Sequence, residues 1–138
     1  MIKLVPLFLS LMVTGCALPT PEFLPTASYD SISHYQHKLE GKLVNFAGYN
    51  MTHHVTDDGV IYMTYKEDGT FNKSFSNASE IVEVVQHYAC QSAQDAVSDG
   101  LVVVSLVNVG TDEVYNFNRD VCRALGYSTP ELSVDELF

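Results

Sequence analysis

The residues of this chain best placed to do chemistry are its three cysteines, and they stand in two different settings. Cys16 ends the run Val13-Thr14-Gly15-Cys16. Lys3 gives the chain a positive start, and residues 4–13 are apolar apart from Pro6 and Ser10. A short apolar stretch, small residues and then a cysteine make the pattern of a bacterial lipoprotein signal. The small residues let the backbone enter a peptidase site, and the thiol is the group that receives a diacylglycerol. An apolar stretch this short is a signal-type segment, not a bilayer span. Residues 1–15 are therefore expected to be removed, leaving Cys16 lipidated and carrying palmitate or a similar acyl chain. The alternative is an ordinary secretory signal that happens to contain a cysteine.

Cys90 and Cys122 are the remaining pair. In an oxidising compartment an even pair reads as a disulfide. Closing a loop of this length stabilises by about 3–4 kcal/mol. The rival is a pair of free thiols at a metal, but neither cysteine has ligands beside it at metal spacing. The five histidines are His34, His37, His53, His54 and His87. His34 and His37 are three apart on an expected helix and can face one metal. A zinc site needs three or four ligands with supporting partners, and His53 and His54 point to opposite faces of an expected strand. No metal and no cofactor is expected.

Catalytic patterns are weak. The chain has no G-x-S-x-G, no glycine-rich phosphate loop and no H-E-x-x-H. The acid pairs Asp57-Asp58, Glu67-Asp68 and Asp112-Glu113 sit at expected turns, where solvation and turn chemistry account for them. Asn50, Asn72 and Asn77 each begin a glycosylation pattern that a bacterial lipoprotein would not normally use. The expectation is a binding protein with no catalytic residue, not an enzyme.

Charge narrows the partners. Lys and Arg number 7 against 17 Asp and Glu, a net charge of −10. Losing residues 1–15 removes only Lys3 among the charges. Phosphate backbones repel such a chain, so nucleic acid is excluded. Anionic head groups repel it too, so lipid must hold it at a membrane, each buried methylene contributing about 0.8 kcal/mol. Ala17 follows the cysteine where an Asp commonly retains lipoproteins at the inner membrane. That favours delivery by the lipoprotein sorting machinery to the outer membrane, facing the periplasm.

The elements that must position these groups follow from pattern. Residues 16–28 hold Pro19, Pro21 and Pro25 and read as an extended, semi-rigid tether. Residues 29–138 are enough for one globular domain. Ile32, Tyr35 and Leu39 make a helical stripe over residues 29–40, with Gly41 at the stop. Residues 43–55 and 60–66 read as strands around an Asp58-Gly59 turn. Residues 70–76 alternate Phe71, Lys73 and Phe75 on one face after an Asp68-Gly69 turn. The clearest helix spans residues 77–93, capped by Asn77 with Glu80 reaching back. Ile81, Val84, Val85 and Tyr88 form its core stripe, widened by Val82 and Ala89. Cys90 lies off that stripe on ideal geometry. Residues 101–109 are almost wholly apolar, as a central strand covered on both faces would be. A turn leads to a strand at 114–119, and Pro130 opens a helix start in the tail. The fold expected is α+β: an antiparallel sheet of about five strands, helices packed on one face, and one disulfide.

This order of parts resembles the AspS-type pilotin lipoproteins of the type II secretion system. The residues that carry the likeness are an acylated cysteine, a helix ending Tyr88-Ala89-Cys90, a long apolar strand, a hairpin, and Cys122 after Arg119-Asp120. It is best from Ile81 to Cys122 and extends back to Tyr49. The resemblance implies lipid on Cys16 and a Cys90–Cys122 bridge. It also implies that the protein binds the C-terminal segment of a secretin subunit and pilots it to the outer membrane. The groove for that segment is expected beside the 77–93 helix, at Val82, Val85 and Ala89. The alternatives are a periplasm-facing lipoprotein inhibitor of an enzyme and a structural envelope accessory.

Overall fold

The computed structural model describes residues 18–46, 49–67, 78–109 and 111–127. Their elements run α1 (Tyr29–Leu39), β1 (Leu43–Phe46), β2 (Tyr49–Val55), β3 (Val60–Glu67) and α2 (Ala78–His87). A π-helical turn (Tyr88–Ser92) follows, then α3 (Gln94–Ser98), β4 (Val102–Val109), β5 (Thr111–Phe117) and α4 (Arg119–Ala124). The fold is α+β, with five strands in one open sheet in the order β1-β2-β3-β4-β5. Neighbouring strands pair antiparallel except β3 and β4, which run parallel, Val60 opposite Val102. Parallel neighbours need a long crossover, and the chain between β3 and β4 supplies one through α2 and α3. The expected strand at 70–76, the Asp68-Gly69 turn, the Asn77–Glu80 cap and the tail helix start lie outside the described residues.

Side chains alternate across the sheet. Met51, Val55, Ile61, Met63, Tyr65, Val103, Val107 and Phe117 face the helices and join Tyr35, Ile81, Val85 and Val97 in the main core. Helix α1 begins at Ser28, whose hydroxyl accepts from the Ser31 amide. Its stripe buries Ile32 and Tyr35, and Gly41 beyond it takes φ +77°. The Tyr35 hydroxyl donates to Asp99 at 3.0 Å, joining α1 to the chain after α3. Burial, then that carboxylate, pushes the Tyr35 phenol far up, so it stays a donor at any physiological pH.

The second face of the sheet carries Val60, Tyr62, Val102 and Val104, and among the described residues no helix side chain packs on this cluster. Residues 18–28 do. They run extended, with strictly alternating exposure: Pro19, Pro21, Phe23, Pro25 and Ala27 are half-buried, and the residues between them are exposed. Phe23 packs on the four buried side chains of that face. The segment expected to be a tether is extended, but its described part is a strap lying on the domain. Covering from both sides explains why Val102, Val103, Val104 and Ser105 are all buried in β4, and why the run 101–109 lacks polar alternation.

Candidate functional site

Three parts of the molecule bear on function: the strap, the disulfide, and the outer flank of α2. The strap is held by three hydrogen bonds. The Tyr62 hydroxyl donates to the Pro19 carbonyl at 2.7 Å. The Glu22 amide donates to Asn116 Oδ1 at 2.9 Å. The Thr26 amide donates to the Gly100 carbonyl at 2.9 Å. Burial, then the charge of Asp58, raises the Tyr62 phenol above its ordinary value, which keeps its proton available. Gly100 has φ +100°, and a Cβ there would meet the Ala27 amide nitrogen at 2.7 Å. Glycine at this position lets the strap backbone close onto the start of β4. Leu18 is the first described residue, two positions after Cys16.

Cys90 and Cys122 form the one disulfide among the described residues, Cα to Cα 5.4 Å, and both are fully buried. Cys90 lies roughly opposite Ile81 on an ideal helix of 3.6 residues per turn. The chain reaches the core there because α2 widens after His87. The Ala93 amide donates to the Tyr88 carbonyl, five residues back, at 3.0 Å. That π-type bond holds one extra residue in the turn and rotates Ala89 and Cys90 inward. Cys122 sits on α4, a short helix capped by Asn118, whose side chain accepts from the Val121 amide at 2.9 Å. The strand expected at 114–119 runs instead from Thr111 to Phe117, and Arg119 already opens the helix that carries Cys122. The Asn-x-x-Val spacing is the sequence signal for that cap, and it was there to be read.

The structure separates the three residues expected to line a groove. Val85 and Ala89 have no exposed surface and belong to the core under α2. The π turn that swings Cys90 inward takes Ala89 with it. Val82 is half-buried, as are Val84 and Tyr88, and these three pack on the core from its rim. Among the described residues, Val82 is the half-buried apolar side chain on one rim of the helix and Val84 and Tyr88 those on the other, and Val85 and Ala89, being buried, line no open groove.

The histidines are spread out. His53 is buried on the helix side and donates from Nδ1 to the Lys42 carbonyl at 2.9 Å. Burial lowers its pKa below the ordinary 6.5; the Lys42 charge adds to that and the carbonyl bond opposes it. His54 is exposed on the opposite face, donating to the Glu40 carboxylate at 3.1 Å. Glu40 also accepts from the Val55 amide at 2.7 Å. That backbone bond first, and His54 second, hold the Glu40 carboxyl below its ordinary range. His37 Nδ1 lies 3.1 Å from the Ser33 carbonyl, a bond within its own helix. His34 is exposed at the edge of the Tyr35 ring. Among the described residues no three His, Cys, Asp or Glu side chains converge as metal ligands. No helix among them is long and apolar enough to cross a membrane.

No known protein-family model matches the chain, and neither a curated protein nor a solved structure is similar to it.

Proposed function

We propose that this protein is an outer-membrane lipoprotein, anchored by acyl chains on Cys16, that binds the C-terminal segment of a type II secretion secretin subunit. It pilots that subunit to the outer membrane for assembly. The observation that carries the reading is the run Val13-Thr14-Gly15-Cys16 just ahead of a disulfide-bonded α+β domain. The likeness of residues 49–122 to AspS-type pilotins supplies the partner. The action is physical, without a chemical step. The lipid is the sorting address, and an apolar surface captures one segment of an assembly subunit. Val82, half-buried on one rim of α2, offers a contact for such a segment. A short segment that orders on binding gives modest affinity for its area, which suits a carrier that must release.

The test has two arms. Wild-type protein should incorporate a fatty-acid analogue and fractionate with membranes, and Cys16→Ser should abolish both. The purified domain should retain a secretin C-terminal peptide in a pull-down. A soluble, unlabelled wild-type protein would remove the anchor. A labelled protein that holds no secretin segment would leave a lipoprotein of another kind and end the pilotin reading.

A further inference from the structure

The strap face carries most of the exposed apolar side chains of the described structure. The large exposed ones are Leu18, Leu24, Tyr29, Leu43, Val114 and Leu125. Leu18 and Leu24 project from the strap, 44 % and 87 % exposed, on either side of the inward-facing Phe23. Leu43 is 60 % exposed on β1. Its neighbour Val44 packs on the helix-side core, so Leu43 faces the other way. Val114, 47 % exposed on β5, is the register partner of Leu106, which packs with the strap-side cluster. Leu43 and Val114 thus mark the two edges of the sheet on the face the strap crosses. Lys66 points to this face also, paired in register with Asn50. Asp112 lies at its corner, bonded to the Asn108 amide. The exposed carboxylates Asp30, Glu83, Asp95 and Asp99 belong to the helix side, while Glu22 projects from the strap itself between Leu18 and Leu24.

We propose that the strap face is a bilayer-contacting surface, and that the strap clamps the domain with this face down and its helices away from the lipid. The proposal rests on the lipid anchor at Cys16. A chain extends at most about 3.5 Å per residue, so the Cα of Cys16 lies within about 7 Å of that of Leu18. Leu18 is tied to the sheet through Pro19 and Tyr62. Acyl chains inserted from Cys16 therefore bring the strap itself to the head groups, where Leu18, Leu24 and Leu43 shed water into the interface. Singly exposed leucines need no explanation on a free surface. Here they share one face with the end of the chain that carries the lipid. Asp30, Glu83, Asp95 and Asp99 are turned away from anionic head groups, Glu22 and Asp112 stay at the lipid-facing side in reach of water and of the zwitterionic amines, and the flank of α2 is left open to a partner.

The test uses the full lipidated chain in vesicles of phosphatidylethanolamine with a minor share of phosphatidylglycerol. Acylated Cys16 and bridged Cys90 and Cys122 leave no free thiol, so Leu24→Cys, Leu43→Cys or Glu83→Cys each gives one site for an environment-sensitive fluorophore. Nitroxide-labelled lipid should quench the probes at 24 and 43 severalfold more than the probe at 83. A flexible Gly-Ser insert of roughly 20 residues between Ala17 and Leu18, with a reach of about 25 Å, should erase most of that contrast. Equal quenching at 24 and 83 in a protein that floats with the vesicles overturns the proposal and spares the anchor. Contrast that survives the insert overturns the clamp. A protein that does not float at all defeats the anchor itself and the proposal with it.

Discussion

The Tyr62 hydroxyl donates to the Pro19 carbonyl at 2.7 Å across 43 positions of sequence. This bond pins the start of the described chain to the middle of the sheet. Tyr62 is otherwise packed with Val60, Val102 and Val104 beneath Phe23, so its ring and its hydroxyl serve the same contact.

Tyr62→Phe removes that bond and keeps the ring. A neutral hydrogen bond of this kind contributes about 1 kcal/mol net. Urea unfolding should show a loss of that size. Limited proteolysis should cut the chain near Phe23 and Leu24 faster than in the wild type, while the helices keep their protection. An unchanged cutting rate would mean that Phe23 and the other two bonds hold the strap unaided.

The Cys90–Cys122 bridge closes a loop of sequence separation 32 inside the core. Its loss should cost about 4 kcal/mol, which for a domain of this size lowers the melting temperature by on the order of 10 °C. Calorimetry of the Cys90→Ser, Cys122→Ser double variant reads this directly. Because both sulfurs are buried, native protein should take up no alkylating agent, even with mild reductant, until denaturant is added.

Ala89 and Val82 should part company under charge substitution. Ala89→Asp places a carboxylate at a fully enclosed site beside Cys90, where an unpaired charge costs several kcal/mol. It should melt the domain or prevent its folding. Val82→Asp, at the rim, should leave thermal melting within a few degrees and weaken retention of a secretin segment. If Val82→Asp binds that segment as well as the wild type, the flank of α2 is not the contact.

His53 makes stability depend on pH in a defined direction. Its folded pKa lies below the ordinary 6.5. As pH falls below that value the unfolded chain takes up a proton that the folded chain refuses, so stability drops until the lowered folded pKa is reached. Above the ordinary value the contribution is fully present. Glu40 acts in the same direction in a more acidic window. Its depressed carboxyl contributes stability above 4.5 that is lost as pH falls through its folded value. His53→Asn keeps a donor toward the Lys42 carbonyl and cannot titrate. Urea midpoints measured at a series of pH values should show a flatter slope just below 6.5 for the variant. Identical slopes would place the pH dependence elsewhere.

Local pattern was legible where local physics decides. The stripe of Ile32 and Tyr35, the stop at Gly41 and the turn at Gly59 are all short-range signals, and each is found. The cysteine pair was legible because nothing else in the chain competes for it. The strap was not. Three prolines in a short run suit a free spacer and a docked one equally, and what decides is Phe23 meeting an uncovered face built by residues far along the chain. The parallel pairing of β3 with β4 was hidden for a related reason: an apolar run declares that it is covered but not by what or in which direction. Ala89 misled as a groove residue because an ideal helical wheel has no place for the widened turn at Tyr88, whereas Val85 already stood in the core stripe and its burial was legible.

The strap has a temporal consequence. Its anchoring points, Gly100 and Asn116, come long after it: Glu22 and Asn116 stand 94 positions apart. In a chain made from its N-terminus, residues 18–27 exist before the surface that receives them, and docking must wait for β4 and β5 to assemble. Segments emerge in order and domains fold as units, so the strap is the first described stretch to be born and among the last to settle. Any enzyme that works on the neighbouring residues during that interval meets an unfastened peptide, and the closing of the strap marks the end of its opportunity.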